Sequence, residues 1–147
     1  MGGQAVHYEV SLQLDCERLG GQAQLAKLSP MQVGGRIDAA TPDAIWELKC
    51  TGGIDAQHLL QLALYGWLWN TLPAGTGQPC AATHGPRRLL LLNFRTGEVR
   101  EVTSSPEELA QVARVLMEAC LRGDPNITDA EFLHNCEQLR APFVRAI

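Results

Sequence analysis

The chain has 147 residues, 46% of them hydrophobic and 19% charged, enough for one domain with a real core and too few for two comfortable ones. That balance excludes a disordered chain, and every apolar run is too short to span a membrane, the longest being broken by Gln, Tyr and Asn. A net charge of −4 excludes binding of polyanions by bulk attraction, so a nucleic acid would have to be met through a local basic strip, a metal or a partner protein.

Residues 6–14 (VHYEVSLQL) alternate in polarity and predict a half-buried strand carrying His7, structural or exposed, and Glu9. Residues 16–29 are small and polar around Gly20-Gly21 and predict a loop. Residues 31–40 predict a second strand bearing Asp38, and residues 44–51 a third bearing Glu47-Leu48-Lys49. The turn-like Thr41-Pro42-Asp43-Ala44 between them lets Asp38 lie beside Glu47. Side chains alternate across a strand, so Glu47 and Lys49 share one face while Trp46, Leu48 and Cys50 share the other. The apolar face is the expected buried one.

After Gly52-Gly53, Asp55 is the expected N-cap of a helix that runs to about Leu72 and is stopped by Pro73. The helix is apolar nearly all round except for the stripe Gln57, His58, Gln61 and Tyr65, whose polar groups need partners near Lys49. Trp67 and Trp69 read as core rather than as platforms for bases. Residues 73–86 read as a long loop of the kind that is mobile or functional, with His84 exposed. Residues 88–94 predict a buried central strand and residues 99–103 its returning partner. Ser105-Pro106-Glu107-Glu108 is a capping box that opens a helix to about Arg122, and a short polar helix is expected from Thr128 to before Pro142. The order predicts a single α/β domain over residues 1–147, with a central mixed β-sheet flanked by helices.

Arg87, Arg88, Arg95 and Arg100 are the densest basic group, read as solvated strand edges apart from Arg87 and Arg88. Five widely spaced cysteines without a C-x-x-C suggest neither zinc nor a redox pair. They predict free, mostly buried thiols in a reducing, intracellular compartment (cytoplasm, nucleus or a viral replication site). The N-terminus lacks the basic n-region and apolar h-region of a secretory signal, so none is expected.

Asp38 and Glu47 converging at a strand pair would make a hard-oxygen site suited to Mg²⁺ or Mn²⁺. Lys49 on the same face would hold or activate the water that attacks a phosphodiester. Gly35-Arg36-Ile37-Asp38, Glu47-Leu48-Lys49 and Gln61-Leu62-Ala63-Leu64-Tyr65, in that order, resemble the motifs of the PD-(D/E)xK nuclease superfamily, in its RecB-like branch. The resemblance implies a restriction-endonuclease-like core, with Asp38, Glu47 and the Leu48 carbonyl as metal ligands. It also implies that Lys49 assists the nucleophile while Gln61 and Tyr65 position the lysine and the DNA backbone. Glu9 lies in a context similar to the acidic strand that often precedes the first motif, and is either a further acidic group near the metal or a solvent-facing carboxylate. The closely spaced C-terminal cysteines of iron–sulfur relatives are absent, so no cluster is expected. Relatives carry a His or Glu on a helix upstream of the first strand, so this chain is expected to be a minimal core or a fragment of a longer protein. The implied function is a metal-dependent deoxyribonuclease, an exonuclease by the habit of the branch, acting on DNA in replication, repair or recombination beside a helicase or another repair protein. The alternative is a module that kept the fold for DNA binding or complex assembly without efficient chemistry.

Overall fold

Alternation builds the first strand: in β1 (His7–Asp15) Leu12 and Leu14 are buried while Ser11 and Gln13 between them are exposed. The computed structural model describes residues 5–15, 32–122 and 144–146. The predicted loop at 16–29 and the helix expected from Thr128 lie outside the described residues. β1 pairs antiparallel with β2 (Gln32–Ala40), which pairs antiparallel with β3 (Ala44–Lys49). The helix α1 (Ala56–Thr71) then crosses over so that β4 (Arg88–Asn93) lies parallel to β3. β5 (Glu98–Val102) and β6 (Val144–Ala146) continue antiparallel, giving a six-stranded mixed sheet in sequence order. The α/β architecture is as expected. The edge strand β6 was not, because three residues are too few to show alternation.

α1 is buried along most of its length because it lies across the sheet and also receives α3 (Pro106–Arg122). Gly66 makes this close approach possible: a Cβ there would stand 2.3 Å from Leu89 Cδ1 on β4. One core joins Leu12, Ile37, Ile45, Leu62, Trp67, Leu68, Leu91, Leu109 and Ala113. Each fully buried Leu or Ile in it contributes about 1.5–3 kcal/mol. Both α1 and α3 start as their sequences require. Asp55 accepts from the His58 amide at 3.1 Å, and Ser105 and Glu108 exchange backbone bonds at 3.2 and 2.9 Å.

The connection from Pro73 to Pro86 contains a short helix, α2 (Ala81–His84), and is pinned rather than loose. Trp69 Nε1 donates to the Gly85 carbonyl at 2.9 Å. Gln78 accepts from Gln13 N at 2.6 Å and donates to Gln13 O at 2.9 Å, standing in for a strand neighbour at the edge of β1.

Candidate active site

β2 and β3 pair only at Ala39 with Trp46 and Ala40 with Ile45, and their ladder ends there. Leu48 N therefore lacks a backbone acceptor on β2, and Asp38 supplies one: its Oδ2 accepts that amide at 2.8 Å. The first acidic residue is thus anchored beside the Glu-x-Lys strand, as the turn chemistry suggested.

The faces of β3 are the reverse of the expectation. Glu47 is only 2% exposed and Lys49 is half-buried, while the Trp46 and Leu48 side chains are also half-buried and Cys50 is exposed. The face bearing Ile45, Glu47 and Lys49 lies under α1, so two charged groups sit where hydrophobicity alone would place Trp46 and Leu48. Lys49 Nζ lies 2.6 Å from Glu47 Oε1 and donates to Gln61 Oε1 at 3.0 Å. Gln61 Nε2 in turn donates to Tyr65 Oη at 2.7 Å. The i, i+4 spacing of α1 thus continues the chain of polar contacts that begins on β3.

The Tyr65 ring is held against β2, where a Cβ on Gly35 would stand 2.4 Å from its Cε1. The first glycine-bearing motif therefore makes room for the last aromatic one. The rest of the stripe goes elsewhere: Gln57 is exposed, and His58 Nδ1 accepts from Asp55 N at 3.2 Å in the N-terminal cap. Glu9 takes its solvent-facing reading, 73% exposed and paired with Arg36 at 3.8 Å.

Burial raises the Glu47 carboxyl above its ordinary value of 4.5; Lys49 opposes the shift and the Asp38 carboxylate adds to it. Its Oε2 is buried without a hydrogen-bond partner. An orphaned carboxylate oxygen beside a second carboxylate fits a hard divalent cation, and Mg²⁺ in particular is held by one or two carboxylates together with waters and substrate phosphates. Among the described residues no group of three or more His, Cys, Asp or Glu side chains converges.

Asn93 escaped the sequence reading. It is fully buried, pairs with Lys49 in the β3–β4 register, and exchanges bonds with Thr51 N and Thr51 O at 3.3 and 3.0 Å. Phe94 N donates to Lys49 O at 3.0 Å. Together these fix the direction in which the chain leaves Lys49. The available signal was an amide closing the apolar run Leu89-Leu90-Leu91-Leu92, since a buried amide must find partners.

Half of the basic group is neutralised from within. Arg88 pairs with Glu101 at 2.9 Å and Arg100 with Glu98 at 2.5 Å. Of the described cysteines only Cys80 is buried; Cys50 and Cys120 are exposed, contrary to the expectation of mostly buried thiols. No family model, curated protein or solved structure matches the chain.

Proposed function

We propose that this protein is a divalent-metal-dependent deoxyribonuclease of the PD-(D/E)xK kind, with a restriction-endonuclease-like core and Asp38, Glu47 and Lys49 as its catalytic residues. One observation carries the reading: a buried glutamate with an orphaned oxygen shares its other oxygen with a lysine that a helix glutamine holds in place. Such an arrangement is costly to bury, and buried carboxylates perturbed by a charge partner are concentrated at functional sites.

Asp38 and Glu47, with the Leu48 carbonyl, would hold Mg²⁺ or Mn²⁺. When bound, the ion supplies Lewis-acid stabilisation of the charge that builds on the phosphate. Lys49 Nζ commits one N–H to Glu47 Oε1 and one to Gln61 Oε1, which leaves its third for the attacking water or the scissile phosphate. Gln61 fixes the ammonium from the opposite side, and Tyr65 fixes Gln61. A fixed ammonium needs no reorganisation as negative charge develops. The same reading places the protein in a reducing compartment, with DNA as substrate and a helicase or other replication or repair protein as partner, because an acidic domain with internally paired arginines gains little from bulk attraction to DNA.

The test is cleavage of end-labelled single- and double-stranded DNA with Mg²⁺, Mn²⁺ or chelator. Metal-dependent products are expected from the parent, with a loss of about 10²-fold or more in Lys49→Ala, as for removal of a general acid–base group. Metal-dependent cleavage at the parent rate by Lys49→Ala would remove Lys49 from the mechanism. A folded parent with no cleavage under any condition would favour the binding-module alternative.

A further inference from the structure

Arg36, Arg88, Arg100 and Arg114 each meet a carboxylate, but among the described residues Arg87 meets none. Its guanidinium is held instead by carbonyls: Nη1 donates to His84 O at 2.5 Å and to Pro86 O at 3.4 Å. Its Cζ stands 5.4 Å from the centre of the Trp69 ring, and its Nε is buried without an acceptor. The cation is therefore positioned without being neutralised.

Arg87 lines a groove of about 930 Å³ formed by the start of β1, the end of β2, Trp69 and the pinned 73–87 connection. This volume is of the size that holds a small organic ligand. His7, Gln78 and His84 add polar groups to its wall, and Tyr8, 71% exposed, adds an aromatic one. In a chain of net charge −4, not one Asp or Glu among the described residues lines this groove. A fixed cation, two imidazoles, an exposed phenol ring and no carboxylate are complementary to an anion that carries a flat ring.

We infer that the groove is a second site outside the catalytic centre and takes one unpaired nucleotide of a nucleic-acid strand, its phosphate on Arg87 and its base stacked on Tyr8. Trp69 follows Gln61 by eight residues on α1, about 12 Å along the helix axis, a separation that one strand with a further phosphate at Lys49 would span in a few nucleotides. The inference rests on the nuclease reading for that second phosphate, but the binding itself does not.

The experiment measures fluorescence anisotropy of a labelled oligothymidylate of about 10 nucleotides, a length within the usual site sizes for single strands, in chelator. Tyr8→Ala is expected to weaken binding roughly 5–150-fold, the range of one lost stacking contact. Arg87→Gln should weaken it and lower the salt slope by about 0.7, the value for one phosphate on a single strand. A duplex of the same sequence should bind less tightly than the single strand. Hydrolysis of a small chromogenic phosphodiester, too short to reach the groove, should be unchanged in both variants. Parent-level binding by Tyr8→Ala and Arg87→Gln, or no binding by the parent, overturns the assignment. If Arg87→Gln does not fold, Tyr8→Ala alone decides, because Tyr8 projects from the core. A protein that binds through these residues and never cleaves keeps the groove and loses the nuclease reading. One that cleaves while both variants bind like the parent loses the groove only.

Discussion

At the scale of single residues, Glu47 sets the terms of the site. Its folded-state carboxyl titrates above 4.5, chiefly because burial penalises the anion. A raised carboxyl favours the folded protein while protonated, so its contribution is present below pH 4.5 and is lost as pH rises through the raised folded value. Once ionised, the buried side chain is a liability that a cation relieves, and Lys49 relieves it in part. Glu47→Gln keeps the shape and removes the charge, while Lys49 keeps its bond to Gln61 and some contact with solvent. The variant should therefore melt at or above the parent temperature at pH 7, with the gap closing below pH 4.5, and should not cleave DNA. Melting curves across this pH range check it. A variant much less stable than the parent at pH 7 would mean that the Glu47–Lys49 pair is net stabilising.

At the scale of elements, the site depends on how closely β2 and α1 approach. Gly35→Ala should drive the Tyr65 ring off β2 and cost about 1–3 kcal/mol, as overpacking of a tight core contact does. Tyr65→Phe keeps the ring and deletes the hydroxyl that Gln61 meets, so it should leave the melting temperature near the parent's and slow cleavage. Parent-level cleavage by Tyr65→Phe would return the tyrosine to a packing role. The succession of β1, β2, β3, α1, β4, β5 and α3 along the chain, both caps and the approach of Asp38, Glu47, Lys49, Gln61 and Tyr65 to one another were legible in the sequence. Each follows from local periodicity, turn chemistry or i, i+4 spacing. The face of β3 was not. Alternation shows that Glu47 opposes Trp46 across the strand, but a helix landing on the polar face reverses which side is buried. Asn93 and Gln78 were equally hidden, because each serves backbone groups far along the chain, 42 and 65 residues away.

At the scale of the whole molecule, one sheet in sequence order puts Asp38 on β2 and Glu47 on β3, two strands joined by a short turn, with α1 packed over them. The backbones that carry the two carboxylates are therefore held side by side by the fold itself. A cation that binds both should then stabilise the entire domain, by an amount set by its concentration over its dissociation constant, about 2.7 kcal/mol at a hundredfold excess. An unfolded chain offers these two carboxylates nine residues apart in sequence and no preformed pair, so binding favours the folded state. Thermal melts with increasing Mn²⁺ should show a saturable rise in melting temperature for the parent and for Lys49→Ala, which retains both carboxylates. Asp38→Asn and Glu47→Gln should show little or none. The reading separates metal binding from catalysis, because Lys49→Ala is expected to keep the first and lose the second. Equal rises in all four proteins would place the bound Mn²⁺ somewhere other than the Asp38–Glu47 pair, and the metal assignment would fall.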